Sequence, residues 1–215
     1  MRAYFRQIMV VVLVAVGIFF LLQATIQSFV VVGSSMMPSY EDGQRLLVNK
    51  VFYRFGEPEM GDVIVFHPPT NQRVDYIKRI IAGPGDTVEI KGGVVYVNDV
   101  TISEPYIRAH PSYTVSQKRI PENEYFVLGD NRNNSNDSHT GWTVEREDII
   151  GKVWISIWPP GLTPDYNLEE QLAAAKLLPQ LPQAEMNHGR SPVRAAMGNS
   201  CLLQLPHHFT HLIIS

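Results

Sequence analysis

The stretch "YIKRIIAGPGDTVEIKGGVVYVNDVTI", Tyr76–Ile102, decides the fold class. It is dense in Val, Ile and Tyr, which suit a pleated, half-buried surface, and Gly83-Pro84-Gly85-Asp86 and Gly92-Gly93 interrupt it. Thr87 to Val97 reads as a hairpin. Gly92-Gly93 supply the positive φ angles of a tight turn, and "VVYVNDVTI" returns as the second strand. Strand alternation sets Tyr76, Lys78 and Ile80 on one face and Ile77, Arg79 and Ile81 on the other, so one of the two adjacent cations is expected to point inward.

Working outward, "RLLVNKVFY" (45–53), "DVIVFHPP" (62–69), "EYFVLGD" (124–130) and "IIGKVWISIWPP" (149–160) repeat the pattern of short apolar runs between turn residues. The expected fold is mostly β: an antiparallel sheet or partly open barrel over 27–161, with a small hairpin-containing subregion at about 90–122. After Pro164 the character changes. Residues 167–178 are expected to form one short helix, and the segment 162–215 as a whole, rich in Pro, Gln and His without period, reads as a poorly ordered tail.

Before the β domain, "IMVVVLVAVGIFFLL" (8–22) carries no charged or strongly polar side chain. A bilayer-spanning helix needs about 20 mostly apolar residues, and 7–26 supplies them. Arg2 and Arg6 precede this run, whereas the first charges after it are Glu41 and Asp42. The positive-inside rule therefore leaves 1–6 in the cytoplasm and everything after the span outside, making the lipid bilayer a partner. A cleaved signal peptide is the competing reading, but the run is long for an h-region and no small-x-small site follows it at once.

The formal charge is −3, from 18 Lys+Arg and 21 Asp+Glu, so there is no global basic field of the kind nucleic-acid binding draws on. The single cysteine, Cys201, cannot close an intramolecular disulfide, and no Cys/His group has zinc spacing. No nucleic-acid partner, metal or organic cofactor is expected.

Three serines crowd "VVGSSMMPSY", Val31–Tyr40. A serine hydroxyl is a weak nucleophile until a base takes its proton. Four of the seven histidines (His188, His207, His208 and His211) fall in the tail, and there is no Gly-x-Ser-x-Gly elbow, so a Ser-His-Asp triad has no motif behind it. Lysine is the other established base, provided burial lowers its pKa enough to populate the neutral amine. Lys78, between Ile77 and Arg79-Ile80-Ile81, is a candidate; a solvated strand lysine is the plainer reading. "GDNRNNSNDSH", Gly129–His139, reads by itself as a turn-rich loop.

Taken in order, "SSMMPS", "GDVIVF", "YIKRIIAGPGD" and "GDNRNNSNDS" resemble the four conserved boxes of the type I signal peptidases, membrane-anchored Ser/Lys proteases. The resemblance runs from the apolar segment to about Pro160. It implies Ser35 as nucleophile, Lys78 as general base, Ser135 as the hydroxyl that orients the amine, Asp137 as a structural carboxylate and Arg79 as the residue that follows the base. It further implies that Val31, Met36, Tyr76 and Ile77 line shallow substrate pockets and that the substrates are signal peptides of preproteins ending in Ala-x-Ala; separately, the apolar Phe29, Val30 and Met36 just after the span are expected to dip into the membrane interface. A plasma or thylakoid-type membrane is the implied location. Two departures stand out. Gly33 occupies a position where some members carry a serine that supports the oxyanion, and His139 stands where many carry an arginine paired with the loop aspartate. His139 as base is a minor alternative. A regulatory autoprotease of the SOS-repressor kind would carry a DNA-binding domain where the apolar segment lies, and an inactive membrane-tethered binding module is the remaining rival.

Overall fold

A computed structural model of the chain describes residues 2–162, 166 and 168–177. Helix α1 (Arg2–Thr25) runs directly into β1 (Ile26–Val30), followed by β2 (Arg45–Asn49), the single-turn α2 (Phe52–Phe55), β3 (Val63–Phe66) and β4 (Tyr76–Ala82). Then come β5 (Thr87–Lys91), β6 (Val94–Val97), β7 (Val100–Thr101), β8 (Val115–Arg119) and β9 (Glu124–Leu128). The last elements are β10 (Val144–Glu145), β11 (Ile149–Trp158), β12 (Gly161–Leu162) and α3 (Leu168–Leu177). The protein is thus mostly β. One sheet has the order β1-β2-β11-β3-β4-β9-β10 with β12 beside β11, an open path whose two end strands do not pair; the other has the order β7-β6-β5-β8. Every strand pairing is antiparallel. Among the described residues, no helix is long and apolar enough to cross a membrane.

The turn between β5 and β6 sits at Gly92 (φ 59°) and Gly93 (φ 79°), with Lys91 opposite Val94. Both central residues are left-handed, as a two-residue hairpin with right-handed strand twist requires. The returning strand ends sooner than expected. Asn98 (φ 52°) and Asp99 (φ 64°) form a second tight turn, and β7 folds back with Val100 opposite Val97. The Asn98 side chain fixes the corner by accepting from Thr87 N (3.0 Å) and donating to Asp86 Oδ1 (2.7 Å).

Strands β3 and β9 explain why several runs are continuously apolar instead of alternating. Val63 and Val65 face one cluster with Val31, Met36, Tyr40, Leu46, Val48 and Val153, while Ile64 and Phe66 face another with Ile80, Tyr125 and Val127. Phe126 and Leu128 of β9 point the other way, into a third cluster that joins the second sheet. These strands are covered on both faces, so alternation sorts their side chains between two apolar environments.

The same two-sided cover corrects the expectation that only one of the β4 cations is inside: Lys78 is 4% exposed and Arg79 0%. Arg79 sits opposite Lys78 across the sheet and is bidentate to Asp130, Nε to Oδ1 at 2.9 Å and Nη2 to Oδ2 at 2.7 Å. Its Nη1 donates to Gly61 O (2.8 Å), and the guanidinium lies 4.2 Å from the Tyr106 ring centroid. Part of the segment read as tail is also structured. Leu168 and Leu172, one helical turn apart on α3, are buried in the cluster under the second sheet. The remainder of 162–215, beyond β12, Tyr166 and α3, lies outside the described residues.

Because Arg79 and Asp130 are both wholly buried, removing one partner strands the other. Asp130→Leu is expected to destabilise the full chain by about 3–5 kcal/mol in urea unfolding. The double variant Arg79→Met/Asp130→Leu should recover most of that loss; equal destabilisation in the two variants would contradict this account of the pair.

Candidate active site

The serine-rich segment is a loop closed at its base, where Val31 N donates to Gln44 O (2.8 Å) and Gly43 N to Val31 O (2.9 Å). Within it Gly33 has φ +95°, a conformation L side chains rarely adopt, and its N–H donates to Asp42 Oδ1 (2.7 Å). Met37 N bonds Ser34 O and Tyr40 N bonds Met36 O, which turns Met36 and Tyr40 into the core and leaves Ser35 half-buried at the surface. Met36 is 0% exposed and is not among the residues that line the groove at Ser35. It anchors the loop from below, contrary to the expectation that it contacts substrate or the membrane interface; the turn that presents Ser35 directs its neighbour inward.

Lys78 reaches the loop from the middle of β4. Its Nζ lies 2.9 Å from Ser35 Oγ and 2.8 Å from Ile77 O, and 5.2 Å from the Tyr76 ring centroid. Burial pushes the Lys78 pKa down from 10.5 to about 8, with the nearby carboxylates of Asp137 and Asp130 opposing the shift. A lysine amine in this state is a competent proton acceptor near neutral pH, and the hydroxyl within its reach is that of Ser35.

The loop following β9 forms the other side of the site. Asp137, fully buried, accepts from Gly129 N through Oδ2 (2.9 Å). Its Oδ1 lies 2.7 Å from His139 Nδ1, and the imidazole stacks on Tyr113 with centroids 4.1 Å apart. The His139–Asp137 contact occupies the place that the resemblance assigns to an arginine–aspartate pair. Ser135 Oγ is buried with no hydrogen-bond partner among the described residues and makes no bond to Lys78. It nevertheless packs at the centre of the site: a Cβ on Gly129 would lie 2.3 Å from Ser135 Oγ and 2.5 Å from Ser35 O.

Two asparagines hold the serine loop in place; sequence reasoning gave Asn131 an architectural role without saying what it holds, and it did not single out Asn134. Asn131 donates its backbone N–H to Ser35 O (2.9 Å) and its side-chain amide to Ser34 O (2.9 Å), and Asn134 donates to Ser34 Oγ (2.9 Å). The only signal was the density of Asn in "NRNNSN", which reads equally well as a surface loop.

A groove of about 630 Å³ leads to Ser35 and Lys78. Its lining includes Val30, Val31 and Val32 from the end of β1 and the serine loop, and Asp75, Tyr76 and Ile77 at the start of β4. Of the four residues expected to contact substrate, Val31, Tyr76 and Ile77 line it. Among the described residues no His, Cys, Asp and Glu group could hold a metal ion.

The family model described as signal peptidase, peptidase S26, matches residues 1–158. The chain is 45% identical over 132 residues to a probable signal peptidase I-1 of Synechocystis sp., covering 58% of this chain and 67% of that protein. A second Synechocystis protein, probable signal peptidase I-2, is 43% identical, and the match spans 60% of its length. Signal peptidase I of Leptolyngbya laminosa is 38% identical over 156 residues, covering 67% of this chain and 77% of that one. A crystal structure of a signal peptidase I from Enterococcus faecalis V583 aligns with a TM-score of 0.42 at 30% identity, covering 45% of this chain and 97% of its own. The chain belongs to the signal peptidase family, peptidase S26.

Gly129 tests how tightly the site is assembled. Gly129→Ala is expected to force the Ser35 and Ser135 segments apart and lower peptidase kcat at least about 100-fold, since a displacement of about 1 Å can cost that much. Its far-UV circular dichroism should be unchanged. A variant of near-native kcat would show that the close approach is not required.

Proposed function

We propose that the chain is a membrane-bound serine endopeptidase that removes signal peptides from exported preproteins after a small-x-small site. The observation that carries this reading is the 2.9 Å contact between Lys78 Nζ and Ser35 Oγ, with the lysine buried deeply enough to lower its pKa to about 8 and so populate the neutral amine.

Neutral Lys78 accepts the Ser35 proton as Oγ attacks the scissile carbonyl. The resulting ammonium gives that proton to the departing amine, which becomes the new N-terminus of the mature protein, and an acyl-serine ester remains. Lys78, neutral again, then takes a proton from water; the hydroxide adds to the ester, and Ser35 leaves with the proton restored. The Ser35 N–H serves the oxyanion, and Gly33 offers no hydroxyl there. Ser135 Oγ, buried beside Gly129 without a partner, is the group we assign to completing the amine's hydrogen bonds when the lysine rotates from Ile77 O. Asp137 holds the end of β9 through Gly129 N, and His139 in turn orients Asp137.

The substrate lies extended in the groove. Backbone hydrogen bonds to its exposed edges supply affinity, and the shallow contacts at Val31, Tyr76 and Ile77 restrict the first and third residues before the cleaved bond to small side chains. Helix α1 is read as the anchor. That reading rests on the uncharged sequence run 8–22 and on the described apolar side chains of α1, such as Val11 (67%) and Phe20 (65%), which are exposed. Since β1 follows α1 without a linker, Ser35 stays close to the outer membrane face, where signal peptides emerge.

Incubation of detergent-purified protein with an Ala-x-Ala preprotein should release a mature chain whose new N-terminus, read by mass spectrometry, follows the second Ala. Ser35→Ala and Lys78→Met should each lower the rate at least about 10³-fold. Undiminished activity in Lys78→Met would overturn the lysine-base mechanism, and an inert wild type in lipid would favour a binding module.

The pH profile follows from the lysine. Protonated Lys78 cannot act as base, so kcat/KM should rise about tenfold per pH unit below pH 8 and level off above it. A profile flat from pH 6 to 9 would contradict this assignment.

A further inference from the structure

The groove is lined mainly by apolar side chains, with Ser35, Asn71, Asp75, Tyr76 and Lys78 contributing polar groups. Among its lining residues the only cation is Lys78, at the reactive end, and the only acidic side chain is Asp75, just before β4 begins at Tyr76. His67, which follows β3, sets its Nδ1 2.9 Å from Asp75 Oδ1, and the His67 backbone N–H is bound to Asp148 O (3.0 Å). The imidazole thus stands beside the carboxylate on a backbone tied to the sheet, with no hydrogen bond between Nδ1 and Oδ1, and the Asp75 side chain remains 38% exposed. Asn71 lines the same end and accepts from Arg73 N (3.1 Å), which ties the connecting loop locally.

We propose that Asp75 is a specificity residue: it gives the distal end of the groove a negative charge that favours substrates carrying Lys or Arg at the fourth or fifth residue before the cleaved bond, and disfavours Asp or Glu there. This rests on the reading of the groove as the signal-peptide site. The position follows from strand geometry. Asp75 is three residues from Lys78, about 10 Å at the 3.3 Å rise of an extended chain. A substrate strand beside β4, with its scissile carbonyl at Ser35 and its first and third side chains against Val31, Tyr76 and Ile77, brings its fourth or fifth residue alongside Asp75. An exposed ion pair contributes little to stability, but here attraction for a cation and repulsion of an anion act on the same ratio. The apolar walls keep competing charges at a distance.

The test is a set of otherwise identical Ala-x-Ala peptides with Lys, Gln or Glu at the fourth or fifth position before the bond, cleaved by the full-length enzyme in detergent. The wild-type kcat/KM ratio of Lys to Glu at the better position should be about three to ten, falling toward one in 0.5 M salt. In Asp75→Asn the ratio should collapse to about one, and in Asp75→Lys it should invert. His67→Ala, which removes the imidazole beside the carboxylate, should leave Lys preferred over Glu. A wild-type ratio near one, or a ratio unchanged in Asp75→Asn, overturns the proposal. The Gln peptide separates the two levels of inference: if it is cleaved after the second Ala while charge has no effect, only the Asp75 assignment fails, whereas if it is not cleaved at all, the signal-peptide reading fails with it.

Discussion

A lysine amine taken out of water and set 2.9 Å from a serine hydroxyl is the constraint on which the rest of this structure depends. Leaving an ammonium in an apolar environment is unfavourable, and here the amine responds by lowering its pKa to about 8. That response requires cover from every side. Strand β4 is paired with β3 and β9, and the serine loop is pinned across the lysine by bonds from Asn131 and Asn134. Loss of cover would return the amine to water and to its ordinary protonated state.

The electrostatics around Lys78 are a balance. Asp137 and Asp130 both favour its charged form, yet each is already committed. Asp130 is held bidentate by Arg79 on the opposite face of β4, and Asp137 by Gly129 N and His139. Neighbouring cations on one strand therefore have opposite tasks. Arg79 stays charged and neutralises a buried carboxylate, whereas Lys78 has no carboxylate bonded to it. Arginine suits the first task because its planar fork matches a carboxylate, and lysine the second because its pKa moves readily on burial.

Much of this was legible in the sequence where chemistry is local. Gly92-Gly93 announced a hairpin because few other residues accept two successive positive φ angles, and the four ordered boxes pointed to Ser35 and Lys78 before any distance was known. Contacts set by tertiary packing were less legible. Alternation alone put one of Lys78 and Arg79 outside, because it does not reveal that a sheet is covered on both faces. Met36 looked like a groove residue because sequence adjacency to Ser35 does not say which way the turn points. Leu168 and Leu172 were too sparse a pattern among Glu, Gln and Ala to signal a docked helix. The partners of Asn131 and Asn134 were hidden in a loop whose composition looks ordinary until its hydrogen bonds are seen.

The central claim concerns the ionisation state of one amine, and it is best measured there. Selective ¹⁵N or ¹³Cε lysine labelling, with Lys78 assigned by its absence in Lys78→Met, permits NMR titration of the full chain in detergent in the Ser35→Ala background. A Lys78 resonance titrating near pH 8, well below the ordinary lysine range, is the predicted result. Titration of Lys78 together with the exposed lysines would mean that the amine is charged at working pH, and would contradict its role as the base.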